Sequence, residues 1–400
     1  MKTQDHKISK EHAKNIALRA QGLTSGPSFG SGKSGALKTI KHLGYLQLDT
    51  LAVVARAHHH TLYTRTPAYK ETHLDELLKE RSIFEYWAHA ASYLPMEDYR
   101  FTFPRKDEFL SGRSHWFKKD KKVMKYVLDR IKNEGPLQAK DFESEKQHGS
   151  WSDWKPAKIA LGNLFMEGSL MISERKGFNK VYDLTERVLP TGVDITKPTL
   201  EEYAEYLIKS TLRAHSFATA KEIAYLRKGM LPHVQQKLKQ LVQQNILIEL
   251  QIENVQEKQY AFPEILKKTY KNKAAHVSLL SPFDNAVIMR NRLKQIFDFD
   301  YGVECYLPEH ERKFGYFCLP ILYGNDFIGR LDPKADKQKK EFIIRSLHIE
   351  NKPIDMDNFL ASLSVAIKQF AVFHGCTKIV IEKTYPAKIK ASLKNILSNS

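Results

Sequence analysis

The sequence predicts an α+β protein built from tandem winged-helix (helix-turn-helix) units followed by a small C-terminal β-barrel-like domain. Three observations predict it. Two segments, about 121–184 and 200–262, share one order: a helix, a short helix, a longer helix and a strand–turn–strand. From about residue 277 short alternating apolar runs replace helical periodicity. Across 400 residues, 63 Lys and Arg face 46 acids, a formal charge of +17. That surplus favours a polyanionic partner, nucleic acid ahead of an anionic membrane.

Taken in order, residues 8–24 carry apolar side chains at helical spacing, and a Gly/Ser loop spans 24–32. A helix from Ala36 to Leu43 leads into the apolar run Tyr45 to Val54, followed by helical stretches near 53–64 and 73–81. The segment 8–50 is a candidate third copy of the helical layout. In the first clear copy the helices fall at 121–134 and 155–168. Its strand–turn–strand turns at Arg175-Lys176-Gly177-Phe178-Asn179-Lys180. In the second, helices at 200–214 and 231–244 precede Ile246 to Leu250 and Gln259 to Phe262. Past 277, strands are expected at Glu304–Leu307, Tyr316–Leu322, Asp326–Leu331, Glu341–Leu347 and 377–382, with a helix at 357–373. The resulting domains are 1–99, 100–195, 196–272 and 273–400. In a helix-turn-helix the second helix lies in or along a DNA groove. Winged helices also bind proteins, so the motif alone supports DNA binding only in part.

Between Arg100 and Lys132 eleven Lys and Arg stand against four acids, interleaved with six aromatics. Two readings stand level: phosphate contact with stacking, or a solvated helix face with its aromatics turned inward. No stretch approaches the roughly 20 apolar residues of a membrane span, and the start of the chain lacks a signal-peptide core. The cysteines, Cys305, Cys318 and Cys376, are scattered and odd in number. That pattern fits a reduced cytoplasm and argues against a cysteine-based metal site.

The candidate site is a polar pair within an apolar run, Gln47-Leu48-Asp49. In an extended segment Gln47 and Asp49 share a face while Leu46 and Leu48 share the other. An amide beside a carboxylate can hold a water or stabilise a developing cation; a solvent-facing strand edge is the plainer reading. Gly32-Lys33-Ser34 is not a phosphate-binding loop, because Pro27 stands where its first Gly is required and a helix precedes it. His58, His59 and His60, with His73 and His89, invite a metal. Consecutive histidines diverge, however, so at most two share an ion, and no zinc spacing occurs. A DNA-facing or packing role suits them better. No nucleophile elbow or Cys–His set stands out, which leaves Gln47 and Asp49 as the catalytic candidates.

Several blocks carry a family resemblance. They are Gln47-Leu48-Asp49, Val54 to His59, Tyr63-Thr64-Arg65, Tyr69 and Phe84 to Ala91. Further along come Leu280 to Asn285 with Arg290 and Arg292, Phe297 to Tyr301, Gly315 to Leu322 and Gly329 to Asp332. In this order, across roughly 5–385, the chain resembles the AlkZ/YcaQ family of bacterial DNA glycosylases. The resemblance implies three tandem winged helices around a C-terminal β-barrel. It also implies a catalytic Gln-x-Gln or Gln-x-Asp; the Gln-x-Asp here is similar to the YcaQ branch. That branch is linked to removal of N7-alkylated purines and unhooking of interstrand crosslinks.

The expected activity is therefore a monofunctional, metal-independent DNA glycosylase of base excision repair. It would need no cofactor and would act as a monomer on double-stranded DNA carrying alkylated or crosslinked purines. The competing reading is a winged-helix transcriptional regulator in which Gln47 and Asp49 are surface polarity; a nuclease would need a metal cluster that the sequence lacks. Expected DNA contacts are Arg56, His58 and Arg65 near the site, and Arg175, Lys176 and Lys180 in the turn. Two alternatives stay open: Arg56 and Arg65 could instead pair with acids such as Glu85, and the turn could be an ordinary solvated hairpin.

Overall fold

In the computed structural model one element order recurs three times: helix, short strand, helix, helix, hairpin. The structure describes residues 6–24, 29–49, 51, 53–54, 56–113, 118–142, 156–267 and 276–399. In the first unit the helix Gly32–Leu43 leads to the strand Leu46–Gln47, helices Ala57–Tyr63 and Thr72–Lys79, and the hairpin Ile83–Trp87/Ala91–Pro95. The second runs from Lys121–Glu134 through Leu137–Gln138, a 3₁₀ turn at Ala139–Phe142 and Pro156–Glu167 to Leu170–Lys176/Asn179–Leu184. In the third, Leu200–His215, Phe217–Ala218, Ala220–Ile223 and Leu231–Gln243 precede strands Ile248–Ile252 and Gln259–Ala261. Each short strand pairs antiparallel with the last strand of its hairpin, giving three similar small sheets.

Local chemistry sets the boundaries. Both early helices of the third unit start at reciprocal caps, Thr199 with Glu202 and Thr219 with Glu222. Gly44 ends the Gly32–Leu43 helix with φ +79°, a left-handed conformation that suits glycine. A side chain there would also meet Ser210 Oγ at 2.5 Å, so this helix end sits flush against the third unit.

The N-terminal segment was grouped by sequence with residues 1–99, but it packs elsewhere. Strand His6–Ile8 runs parallel to Ile248–Ile252 at the edge of the third unit's sheet. In the helix Lys10–Ala20, Ala13, Ile16 and Ala17 form one face that joins a core with Phe217, Leu250, Leu280, Phe297 and Phe327. The first copy of the recurring order thus begins at Gly32, not near residue 8.

The C-terminal domain is an open five-stranded sheet, Val277–Leu279, Leu319–Tyr323, Asp326–Asp336, Glu341–Ile349 and Lys378–Tyr385 in that order. The expected barrel does not close, because the outer strands do not pair. The last strand enters parallel to Glu341–Ile349 after the helix Met356–Phe373. That helix buries Phe359, Leu363, Ile367 and Phe370 against the sheet, which is covered rather than curled shut. The expected strand Glu304–Leu307 is a loop: the Glu304 carboxylate accepts the N–H groups of Phe314 and Gly315 at 2.8 and 3.1 Å.

One buried ion pair ties the parts together. Arg65 and Asp284 meet through two hydrogen bonds of 2.7 Å, both side chains wholly enclosed. Arg65 Nε also donates to Gln21 O at 2.7 Å, and Nη1 to Thr61 O at 3.1 Å. Gln21 Nε2 in turn donates to Ala214 O at 2.6 Å. The N-terminal helix end, first unit, third unit and C-terminal domain converge on this one guanidinium.

The histidine run is packing. His60 bonds Leu279 O at 2.8 Å and lies on Phe370; His59 bonds the Tyr69 hydroxyl at 2.7 Å. Burial pushes His59 and His60 down to about 4 and His374 down to about 3.

Two outcomes follow from this packing. Arg65→Met leaves Asp284 an uncompensated buried charge and lowers the unfolding free energy in urea titration by roughly 3–5 kcal/mol. Adding Asp284→Leu recovers most of it, and a single-variant loss well below 1 kcal/mol contradicts the account. For pH, the unfolded histidines take up protons near 6.5 while the folded ones stay neutral to about 4. Asp98, pushed up to about 6 by burial, and Asp75, also raised by burial, work in the opposite direction but are two groups against several. The melting temperature therefore falls as pH drops from 6.5 to 4, and a flat profile in that window contradicts the assignment.

Candidate active site

Gln47 and Asp49 sit where the short strand of the first unit ends. Leu46 and Leu48 are buried in the core of that unit. Leu46 pairs with Tyr93, Gln47 with Ser92, and Leu48 N–H donates to Ala91 O at 2.8 Å, so the backbone is extended through Leu48. There the chain turns, with Asp49 Oδ1 accepting Leu51 N–H at 2.6 Å. Gln47 is 9 % exposed and Asp49 half-buried. Leu46–Gln47 is an edge strand of its sheet, and the pair lies at its C-terminal end.

Each member has a different surrounding. Gln47 Oε1 accepts a hydrogen bond from His89 Nε2 at 3.0 Å. His89 sits in the three-residue turn of the hairpin, with its ring edge-on to Tyr45 at 4.9 Å and Tyr225 at 5.6 Å. Burial, with a smaller push from the Arg227 charge, brings His89 down to about 3, so its imidazole is neutral near pH 7. Beyond it lies a cavity of about 80 Å³ lined by Tyr45, His89, Tyr206, Tyr225 and Arg227. Asp49 faces the loop after Tyr301: burial and then the Asp49 charge push the Cys305 thiol up, and Tyr306, 73 % exposed, also feels that charge.

From Asp49 the chain passes along the C-terminal sheet, where Ala335 N–H donates to Val53 O at 3.4 Å. Val53, Arg312, Tyr316, Lys334 and Arg345 line an open cleft of about 550 Å³. Pairing passes from Asp332–Ser346 to Pro333–Ile344, so Arg345 is the extra residue of a β-bulge. Lys334 and Arg345 are exposed, and neither reaches an acid within ion-pair distance among the described residues.

The other sequence-predicted residues separate into three settings. Arg65 is closed off from solvent and its charge is committed to Asp284. Arg175 and Lys180 converge on the buried Glu85, at 2.7 and 2.6 Å. Burial raises that carboxyl, but the Lys180 and Arg175 charges outweigh it and hold Glu85 below the usual range. Arg56 lies 3.4 Å above the Phe178 ring, which Arg175 also approaches at 4.5 Å. The Arg56 Nη1 beside it is buried without a hydrogen-bond partner. His58 is 3 % exposed, its Nδ1 also unpartnered. Lys176 alone of the six stands well out, 3.5 Å from Glu174. Of the open alternatives, Arg65 does pair with an acid, Asp284, while Glu85 takes Arg175 and Lys180 rather than Arg56 or Arg65. Among the described residues no group of three or more His, Cys, Asp or Glu could hold a metal ion.

Sequence reading missed His89 as a neighbour of Gln47, and with it Tyr225 and Arg227. Nothing local signals them, since the contact is 42 residues away and the aromatic lid comes from the third unit. Lys334 and Arg345 were also missed, because a bulge is invisible in the alternation of a strand.

A model of the family described as "DNA glycosylase AlkZ-like" matches residues 40–373. The solved structure of Streptomyces sahachiroi DNA glycosylase AlkZ superposes with a TM-score of 0.62 at 15 % identity, covering 94 % of this chain and 100 % of that one. At that identity the structural likeness speaks for the fold, while the family model spans most of the chain, Gln47 and Asp49 included. The chain belongs to the AlkZ-like DNA glycosylase family.

Proposed function

We propose that the protein hydrolyses the N-glycosidic bond of N7-alkylated purines in double-stranded DNA, including purines held in interstrand crosslinks. The observation that carries the reading is Asp49, a half-buried carboxylate at the end of an extended strand, with Val53 four residues on lining an open cleft together with Arg312, Lys334, Arg345 and one acid, Glu309. An N7-alkylpurine already bears a positive charge. When the C1′–N9 bond breaks, its electron pair neutralises the departing base, so little protonation is needed. The sugar is left as an oxocarbenium-like cation. Asp49 stabilises that cation and accepts a proton from the water that attacks C1′. The free base and an abasic site result, with no lysine adduct and no metal called for.

Recognition rests on shape and charge. We read the three recurring units as winged helices, and the +17 balance supports phosphate contact. The cavity beside His89 holds a few waters at about 80 Å³, far short of the roughly 300 Å³ at which enclosed ligand pockets begin. A base tethered to the opposite strand cannot swing into a deep pocket, and an open cleft suits it. Lys334 and Arg345 become the leading phosphate contacts, with Lys176 at the hairpin turn and Arg56 at the seam between the first two units. Arg65, Arg175 and Lys180 serve the scaffold in this reading.

Two measurements test it. Asp49→Asn slows single-turnover release of N7-methylguanine roughly 100-fold or more while DNA affinity stays within a few-fold; an unchanged rate refutes the assignment. Lys334→Ala with Arg345→Ala makes the slope of log K against log salt shallower by roughly one per lost phosphate contact, with the rate at saturating DNA kept. An unaltered slope removes the cleft from the DNA path.

A further inference from the structure

We infer that His89 is a positioning residue for the reaction, fixing Gln47 as a hydrogen-bond donor toward the substrate. The inference rests on the glycosylase reading of Gln47 and Asp49. A carboxamide can turn over by 180° about its last torsion and then present an acceptor where it had presented a donor. With Oε1 accepting from His89 Nε2 at 3.0 Å, the other edge of Gln47, its NH2 group, is left for the site. From there it can donate to the Asp49 carboxylate, to a phosphate oxygen or to the departing base. A free-spinning amide would do so only part of the time.

The imidazole is itself held on several sides. Its ring packs edge-on to Tyr45 and Tyr225, from the first and third units. Asn285 of the C-terminal domain donates from Nδ2 to Tyr45 O at 3.2 Å, fixing the backbone two residues before Gln47. The hairpin turn is closed by Ala88 N–H to Ala90 O at 2.9 Å. Donation from Nε2 requires the proton on that nitrogen and leaves Nδ1 as the acceptor of a neutral ring. Neutrality also matters chemically. A charged imidazole one residue from the pair would oppose both the cationic purine and the oxocarbenium-like sugar, and burial near Arg227 keeps the ring uncharged.

The test uses the full chain and an N7-methylguanine duplex, with thermal melts to confirm folding. His89→Phe keeps a ring between Tyr45 and Tyr225 but deletes the donor; His89→Gln restores a donor near the Nε2 position. His89→Phe is expected to lower the single-turnover rate roughly tenfold, the scale of one hydrogen bond, without changing Kd. His89→Gln recovers most of that loss. In a Gln47→Ala background His89→Phe has no further effect, because the group it orients is gone. Equal losses in both backgrounds, or a weakened Kd with an unchanged rate, overturn the role of His89 while leaving the glycosylase reading intact. Full activity of both Gln47→Ala and Asp49→Asn overturns that reading and this inference with it.

Discussion

The arrangement of the whole chain depends on one buried charge pair. Arg65 uses its planar fork to meet Asp284 twice and spends its remaining donors on the N-terminal helix end and its own helix. An isolated charge at that depth would cost far more than any local contact returns, so neither partner can move without the other. Asp284 lies at the start of the C-terminal domain and Arg65 two residues past the Ala57–Tyr63 helix. The pair thereby ties the first unit, which carries Asp49, to the C-terminal domain, which carries Lys334 and Arg345. Much of the sequence around Asp284 serves this junction: Asn285 reaches Tyr45, and Arg292 reaches Glu222.

A second buried acid organises the opposite side. Glu85 draws in Arg175 and Lys180 from the second unit's hairpin, and the ring of Phe178 carries Arg56 on its face. Two of the cations expected at DNA, Arg175 and Lys180, are thus taken up at an internal seam. Surplus charge in a sequence says that cations are available; it does not say which of them are already neutralised. That depends on acids distant in sequence, and here a single glutamate consumes two.

The same distinction explains what was legible. Helices and hairpins could be read because caps, apolar spacing and the turn at Gly177 are local. The order of elements in the second and third units, and Gln47-Leu48-Asp49 as the candidate pair, came from the residues themselves. The family blocks gave the reaction. Long-range pairing stayed hidden. The strand His6–Ile8 is only three residues long and owes its partner to residues 250–252. The open sheet looked like a barrel because alternation records which faces are buried, not whether the edges meet. Glu304–Leu307 is read as a strand, yet among the described residues nothing pairs with it, and the Glu304 carboxylate accepts the N–H groups of Phe314 and Gly315 instead.

The parallel pairing of His6–Ile8 with Leu250–Ile252 has a consequence for how the chain folds. Residues 6–20 are among the last to find their place, because their partners lie far along the sequence. The apolar face of Lys10–Ala20 is covered by residues 217–265 of the third unit and 280–327 of the C-terminal domain. Contacts of such sequence separation close large loops and slow the final assembly. Until those partners fold, Lys10–Ala20 is an exposed amphipathic segment, and its docking closes the long loops between them.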